Sequence, residues 1–90
     1  MFYIYIIYSK KLNKKYIGYC ENLKNRVKEH NNGESKFTSR GVPWSLVYYQ
    51  VFLSETDARN EERFLKSGKG RDRLKFLLSD TMNKIENYNK

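Results

Sequence analysis

The chain has 90 residues and a mass of 10.9 kDa, which is enough for one small domain and excludes two separate cores. Aromatic residues make up 16% of it and eight of them are tyrosines, which excludes a disordered basic tail for most of the chain. Cys20 is the single cysteine, so an intrachain disulfide and a multi-cysteine zinc site are excluded and a reducing, cytoplasmic compartment is favoured. The formal net charge of +8 predicts an acidic partner, with nucleic acid favoured over a membrane surface.

The positive charge is concentrated in two stretches. Residues 10–28 contain seven Lys or Arg against one Glu, and residues 66–75 contain five against one Asp. Between the two stretches, acidic residues are concentrated at positions 55, 57, 61 and 62. Either basic stretch alone is compatible with a solvated surface. Together they favour a surface that binds phosphates around an acidic, metal-binding centre.

The first half of the chain predicts a hairpin followed by a helix. Residues 2–8 are β-branched and aromatic with apolar side chains on both faces, which is typical of a central strand and too short to span a bilayer. A polar turn leads to a second strand at 15–20, paired with the first in an antiparallel hairpin. Asn22 is a plausible N-cap for a helix that ends at Asn31-Asn32-Gly33, and a basic loop follows at 34–43.

The second half predicts a strand and two helices. Residues 45–53 form a third strand, and Ser54 caps a helix that extends to about Lys66. Residues 67–70 break that helix, and a last helix runs from about Arg71 to Leu78. The order β-β-α-β-α-α indicates an α+β fold with a three-stranded antiparallel sheet flanked by helices. We expect one domain over residues 1–80 and a polar, flexible tail over residues 81–90.

The hairpin predicts a cluster of phenols. Strand alternation places Tyr3 and Tyr5 on one face of the first strand, and Tyr16 and Gly18 on one face of the second. A glycine beside these tyrosines would leave room for a substrate backbone. The alternative is ordinary aromatic packing across the two strands.

The helices carry the charged candidates. Arg26 and His30 are four residues apart and therefore lie on one helix face, which is also compatible with a solvated polar surface. On the second helix, Glu61 and Glu62 lie on either side of the apolar stripe, and their spacing does not choose between them. A carboxylate there is costly unless it is paired or bound to a cation, so both a salt bridge and a metal site are open.

Taken in order, these motifs resemble the GIY-YIG nuclease superfamily, in particular its small single-domain bacterial members, and are similar to the nuclease domains of an excinuclease and of Slx-type endonucleases. Tyr3-Ile4-Tyr5 and Tyr16-Ile17-Gly18 resemble the two-part signature, with Tyr3 in place of the first glycine. The segments at 22–33, 36–49 and 64–71 resemble further parts of the family pattern, so the resemblance covers residues 2–78.

Two positions bear on the metal site that the resemblance implies. Residues 58–66 match the family pattern Ala-x-x-x-Glu-x-x-x-Lys, which selects Glu62 over Glu61. Some relatives place an Asn about three turns after this glutamate, whereas this chain has Leu74 there. Any contact that the Asn makes in those relatives must come from another group here or be absent.

The resemblance implies an endonuclease that hydrolyses DNA phosphodiester bonds with one divalent cation, Mg²⁺ or Mn²⁺, in DNA repair or recombination. Glu62 would hold the metal, and Arg26 would contact the scissile phosphate. Water activation would fall to Tyr5, Tyr16 or His30. Tyr16 is favoured as the base or water-orienting group, and the division among the three is open.

The remaining expectations concern contacts and partners. Residues expected to contact nucleic acid are Tyr3, Gly18, Lys24, Lys36, Arg40, Lys66, Lys69 and Arg71. The amides of Gly68 and Gly70 could bind a phosphate or simply form a turn. The alternatives to a nuclease are a catalytically inactive nucleic-acid-binding module and a domain that depends on a targeting protein partner. We expect DNA as the partner, no membrane, and a monomer or weak homodimer.

Overall fold

The computed structural model describes residues 1–87. Its elements are β1 (Phe2–Ser9), β2 (Lys14–Cys20), α1 (Leu23–Asn31), β3 (Trp44–Phe52), α2 (Glu55–Lys66), α3 (Gly68–Leu77) and α4 (Ser79–Asn87), with a short 3₁₀ turn at Ser39–Gly41. The strands form one antiparallel sheet in the order β2-β1-β3. The predicted α+β fold and the central position of β1 are therefore confirmed.

The two faces of β1 carry separate halves of the core. Ile4 and Ile6 face the layer formed by α2, α3 and α4, whose buried residues include Ala58, Leu65 and Leu74. Tyr5 and Ile7 point to the other side, which α1 and the loop before β3 cover. Because both faces are buried, the continuous apolar run of β1 has the pattern of a central strand.

The predicted caps form at both expected positions. The Asn22 side chain accepts a hydrogen bond of 3.1 Å from the Asn25 amide at the start of α1. The Ser54 hydroxyl accepts one of the same length from the Asp57 amide at the start of α2. Each cap satisfies an amide that the first helical turn leaves without a backbone partner.

The break between α2 and α3 is shorter than the four residues expected at 67–70. Ser67 alone ends α2 and caps α3, and its hydroxyl accepts a hydrogen bond of 3.2 Å from the Gly70 amide. Gly68 and Gly70 thus belong to the first turn of α3. A Cβ at Gly70 would collide with the backbone of Phe64 and Leu65, so this glycine permits close contact between the helices. The Gly70 amide donates to the Ser67 hydroxyl, so of the two alternatives for this segment the helix-capping turn is the one that the Gly70 amide forms.

The segment after Asp80 differs from the flexible tail that we expected. Residues 81–87 belong to α4, and Met82 packs against the core cluster of the helical layer. Asp80 and Lys84 form a surface ion pair of 3.3 Å along the same helix. The polar composition of this segment led us to expect no regular structure, whereas it forms an amphipathic helix with few apolar contacts to the core. Positions 88–90 of the predicted tail lie outside the described residues.

The described helices do not include a membrane span. Within residues 1–87, none combines the length and the apolar character that crossing a bilayer requires.

Gly18 does not leave room for a substrate backbone, because the Tyr5 ring occupies that space. The two residues are directly opposite each other in the β1–β2 pairing. A Cβ at position 18 would overlap atoms of the Tyr5 ring and its hydroxyl. The glycine therefore permits Tyr5 to lie flat across β2, and its expected contact with nucleic acid is replaced by this packing role.

We expect Gly18→Ala to lower the free energy of unfolding by ~1–3 kcal/mol, because the added methyl group displaces a buried ring. Gly68→Ala is the matched control, since a Cβ at Gly68 has nothing within 4 Å and alanine is the better helix former. Urea denaturation of the three proteins measures the difference. Equal stability of Gly18→Ala and the wild type would contradict the packing role.

Candidate active site

A buried hydrogen-bond chain begins at Tyr5 on the central strand. The Tyr5 hydroxyl and Nε2 of His30 are 2.8 Å apart and share a hydrogen bond. Tyr5 is 1% exposed and His30 2% exposed, so the contact is shielded from solvent. The His30 ring nitrogen can serve as donor or acceptor. This bond fixes α1 against the sheet at the end that carries Arg26 and His30.

The loop before β3 supplies the other hydrogen-bond partner of His30. Nδ1 of His30 and the hydroxyl of Thr38, which is fully buried, are 2.7 Å apart. The Thr38 carbonyl accepts a hydrogen bond of 2.7 Å from the Trp44 indole N–H. Both nitrogens of the imidazole are thus engaged, which fixes the orientation of its ring.

Burial and nearby charges set the protonation states of Tyr5 and His30. Burial, and secondarily the positive charge of Arg26, lower the pKa of His30 below its usual value, although Glu29 offsets part of this effect. The imidazole is therefore neutral at pH 7, with one nitrogen donating and the other accepting. Burial, reinforced by Tyr16, raises the pKa of Tyr5 well above its usual value, and Arg26 offsets only part of the rise. Tyr5 is therefore a protonated phenol.

A small cleft lies above the Tyr5–His30–Thr38 hydrogen bonds and contains the charged groups of this region. It has a volume of about 120 Å³ and is lined by Tyr16, Arg26 and His30 together with Glu29 and Glu34. The Arg26 guanidinium is 3.0 Å from the Glu29 carboxylate, and both side chains are nearly half exposed. An exposed pair of this kind contributes little stability, so Arg26 can exchange Glu29 for another anion.

Tyr16 lies where two depressions meet. Its ring is edge-on to His30, with centroids 5.2 Å apart, and it lines the cleft. The same residue lines a groove of about 590 Å³ at the edge of the sheet, which we call the β2 groove. The basic residues of the β2 groove are Lys14, Lys15, Lys66, Arg71 and Lys75. Tyr16 is therefore accessible from both the cleft and this basic surface.

Glu62 lies on α2, in the helical layer on the opposite side of the sheet from Tyr5. Its side chain is 16% exposed, and its carboxylate is 3.0 Å from the Lys66 ammonium and 3.7 Å from the Arg59 guanidinium. The salt bridge that the sequence left open is therefore present. Lys66 lines the β2 groove together with Tyr16, so the groove connects the two sides of the sheet.

Protein groups within residues 1–87 do not by themselves form a ready-made metal site. In this described part of the chain, three or more His, Cys, Asp or Glu side chains do not come together in a way that could hold a metal ion. A site at Glu62 would therefore draw its other ligands from water or substrate oxygens.

The other residues expected to contact nucleic acid fall into three places. Lys66 and Arg71 line the β2 groove. Tyr3 and Lys24 line a separate groove of about 860 Å³ between α1 and β3, which shares no lining residue with the cleft. Three more are exposed on the surface: Lys36, Arg40 and Lys69. Leu74, at which the resemblance places an Asn in some relatives, is buried in the core.

Two residues that matter for the geometry were missed from the sequence. Thr38 is the partner of His30, and its position in a basic, polar loop concealed that role. The Asn31 side chain bonds the backbone of Trp44 twice, accepting from its N–H and donating to its carbonyl at 3.0 Å. Both contacts join positions at least eight residues apart, and the local sequence carried no sign of either.

Comparison with known proteins shows which chains this one is similar to. A family model described as the GIY-YIG catalytic domain matches residues 1–76. A UPF0213 protein of Clostridium perfringens is 35% identical over 91 residues, covering 100% of this chain and 96% of that protein. A UPF0213 protein of Pediococcus acidilactici is 37% identical, covering 84% of this chain and 80% of that protein. The solution NMR structure of a UPF0213 protein from Bacillus halodurans matches with a TM-score of 0.54 and 31% identity, covering 86% of this chain and 85% of that one.

We expect NMR titration of His30, the single histidine of the chain, to give a pKa below the usual value of about 6.5. Arg26→Gln should raise this pKa by removing a nearby positive charge, but not to the usual value, because burial is the larger cause. Because the pKa of His30 is lower in the folded than in the unfolded state, neutral His30 stabilises the fold above its unfolded pKa. This contribution to the free energy of unfolding should be lost as the pH falls through the folded pKa. An unshifted His30 would contradict the buried chain.

Proposed function

The chain belongs to the GIY-YIG catalytic-domain family, and from that premise we propose that it is a divalent-metal-dependent endonuclease that hydrolyses DNA phosphodiester bonds, acting in DNA repair or recombination. The observation that carries the proposal is the position of the exposed Arg26 and the partly exposed Tyr16 above the buried Tyr5–His30–Thr38 hydrogen bonds. An exposed cation and a phenol held by a rigid polar support are suited to orient a phosphate and a water molecule.

Arg26 is the proposed phosphate ligand. Its guanidinium has a fixed fork of donors that suits two phosphate oxygens. In the free protein Glu29 occupies part of that fork at 3.0 Å. A bound phosphodiester would take the place of Glu29, and the exchange costs little because the pair is exposed. The neutral His30 beneath Arg26 adds no positive charge that would repel the guanidinium.

Tyr16 is the proposed water-orienting group. Tyr5 is unsuited to act as a base, because burial raises the pKa of its hydroxyl. Both nitrogens of His30 are engaged by Tyr5 and Thr38, so the imidazole has no free acceptor to direct at a water. Tyr16 lines the cleft and is partly exposed. We therefore assign Tyr5 and His30 to positioning, and contact with the reacting water to Tyr16.

Glu62 is the proposed metal ligand, and the chemistry of its donor atoms fits. A carboxylate is a hard oxygen ligand, and Mg²⁺ or Mn²⁺ commonly keeps water and substrate oxygens in the remaining positions. Lys66 and Arg59, which now pair with Glu62, have side chains that are each nearly half exposed, so both can turn toward solvent or phosphate. When bound, the cation would stabilise negative charge on the scissile phosphate and leaving oxygen.

The β2 groove is the proposed path of the DNA backbone. Its five cations lie on β2, α2 and α3, and Tyr16 joins them to the cleft. Phosphates bound along such a surface supply affinity without reading sequence. Lys66 and Arg71 were expected in this role, and the proposal adds Lys14, Lys15 and Lys75.

A catalytically inactive binding module is the second candidate. The Arg26–Glu29 and Glu62–Lys66 ion pairs favour it, since both proposed reacting groups are occupied in the free chain. It predicts DNA binding without metal-dependent cleavage. A targeting protein partner is compatible with either candidate.

We expect the wild type to cleave DNA only with Mg²⁺ or Mn²⁺ present. Linear, nicked and branched substrates should be compared on denaturing gels. Arg26→Ala should lower the rate by ~10²–10³-fold, the usual cost of removing one charge-stabilising donor. Tyr16→Phe and Glu62→Gln should also lose activity while retaining the fold.

Glu61→Gln is the matched control for the metal ligand, because it removes the same charge one residue away on α2. It should retain activity. Cleavage by Glu62→Gln at the wild-type rate, or cleavage that persists in a metal chelator, would contradict the proposal. DNA binding without cleavage on every substrate would instead support the inactive module.

The DNA path is tested by salt dependence. In a Glu62→Gln background without metal, Lys14→Ala/Lys15→Ala should weaken DNA binding and reduce the slope of log K against log salt by about 2, since each phosphate contact contributes about 0.9. Lys10→Ala/Lys11→Ala removes the same charge from the adjacent turn and is the control. Equal slopes of log K against log salt for the two double variants would show that the β2 groove does not bind DNA.

A further inference from the structure

The loop between α1 and β3 exposes an aromatic residue that neither the core nor the proposed reaction uses. Phe37 is 88% exposed, whereas the next residue, Thr38, is fully buried. General burial preferences predict the opposite, because phenylalanine is among the side chains most often buried and threonine is mostly exposed. The loop therefore places its polar side chain in the interior and its aromatic ring in solvent.

Hydrogen bonds hold Phe37 at the tip of a tight turn. The carbonyl of Ser35 accepts hydrogen bonds from the amides of Thr38 at 3.2 Å and of Ser39 at 2.9 Å. The Ser39 hydroxyl donates to the Lys36 carbonyl at 3.3 Å. Lys36 and Phe37 are thus the two central residues of a four-residue turn. The backbone that carries the ring is fixed on both sides.

Both ends of this turn belong to the candidate active site. Ser35 lines the cleft that contains Arg26, and Thr38 bonds Nδ1 of His30 at 2.7 Å. Consecutive Cα atoms are about 3.8 Å apart, so the Cα of Phe37 lies within about 8 Å of the Cα of Ser35. Successive nucleotides of one DNA strand rise by about 3.4 Å. The ring is therefore within about three nucleotides of a phosphate bound in the cleft.

The charges around Phe37 favour nucleic acid as the partner of its ring. Lys36 and Arg40 are exposed on either side of it in the chain, and Glu34 is the one acidic residue of the loop 34–43. An aromatic ring between two cations suits a ligand that combines a flat apolar face with negative charge, as a nucleotide does. An apolar protein surface would instead desolvate both cations without offering them a counter-charge.

Two other apolar side chains are about as exposed but lack this setting. Phe76 is 87% exposed and Leu53 is 85% exposed, and neither lines the cleft or the β2 groove. Acidic residues follow Leu53 at positions 55 and 57, and Asp72 lies one turn before Phe76 on α3. Single exposed apolar residues are ordinary on protein surfaces. What distinguishes Phe37 is its position beside the cleft and between two cations.

We propose that Phe37 is a base-stacking residue, whose ring packs against a nucleobase within about three nucleotides of the scissile phosphate. This contact rests on the proposed nuclease function, because that function places the scissile phosphate in the cleft. Lys36 and Arg40 would bind the backbone phosphates next to that nucleobase. In an intact duplex the ring would have to separate two stacked bases, which costs free energy. At a nick the stack is already interrupted, so the contact costs less there.

Photocrosslinking tests the contact without requiring cleavage. 5-Iodouracil, which crosslinks to aromatic side chains that stack on it, is placed at successive positions of a nicked DNA. The Glu62→Gln protein is then irradiated on each DNA without metal. We expect mass spectrometry to find a crosslink to Phe37 from positions within about three nucleotides of the bond that the wild type cleaves. Adding Phe37→Ala should abolish this crosslink, whereas Phe76→Ala, the matched control, should preserve it.

Affinity measurements in the same Glu62→Gln background separate stacking from charge. Phe37→Ala should weaken binding of the nicked DNA about 10-fold, a usual loss for one stacked base, without changing the slope of log K against log salt. Lys36→Ala should reduce that slope by about 0.9. Phe37→Trp should bind like the parent protein because it keeps a flat ring, whereas Phe37→Leu should bind like Phe37→Ala. The preference for nicked over intact DNA should also shrink in Phe37→Ala.

The possible results distinguish this contact from the nuclease function. A crosslink to Phe37 without cleavage of any substrate would support the contact and contradict the nuclease function. Cleavage by the wild type without a crosslink to Phe37, or with crosslinks only from positions far from the cleaved bond, would overturn the contact alone. Undiminished binding by Phe37→Ala or Phe37→Leu would overturn it as well. Absence of any DNA binding would overturn both proposals. Circular dichroism confirms that each variant is folded.

Discussion

The contact between Tyr5 and His30 is the constraint on which the rest of the site depends. The Tyr5 ring crosses β2 at Gly18, and its hydroxyl reaches a buried imidazole on α1. A shift of one residue in the β1–β2 register would turn Tyr5 to the other face of the sheet and remove this contact. The same imidazole holds Thr38, so one hydrogen-bonded ring positions a strand, a helix and a loop.

The chemistry of the cleft follows from what this contact buries. Burial keeps Tyr5 protonated and His30 neutral, and neutral groups tolerate desolvation better than charged ones. Charge is confined to the rim of the cleft, where Arg26 and Glu29 remain exposed. The proposed site thus has a buried, neutral floor and an exposed, charged rim, and the β2 groove meets that rim at Tyr16.

The fold was predictable because local sequence features encode most of its elements. The apolar run of β1 and the caps Asn22 and Ser54 each act within a few residues, and all three are confirmed. The helical tail was missed because α4 has only a few apolar contacts, such as Met82, on a polar segment. Gly70 was assigned to a turn because its close contact with α2 depends on how the two helices cross.

The candidate site was predictable only in part. Strand alternation placed Tyr5 and Tyr16 each on a face of its own strand, and helical spacing placed Arg26 and His30 on one face of α1. The structure brings these four residues together on one side of the sheet. Spacing could not show that the Tyr5 ring occupies the space beside Gly18, nor that Thr38 hydrogen-bonds His30. Both are contacts between separate elements. A salt bridge at Glu62 was one of the alternatives that the sequence left open, and the ion pair with Lys66 is present. The sequence could not show that Lys66 lines the same groove as Tyr16, because that contact depends on how α2 packs against β2.

In the proposed mechanism, Glu62 and the cleft act on one bound phosphate from two sides of the sheet edge. Paramagnetic broadening by Mn²⁺, measured by NMR with a non-cleavable phosphorothioate DNA bound, tests it directly. Signals of Glu62, Tyr16 and His30 should all broaden together, and Glu62→Gln should abolish the effect. Broadening confined to one side of the sheet, or unchanged in Glu62→Gln, would contradict it.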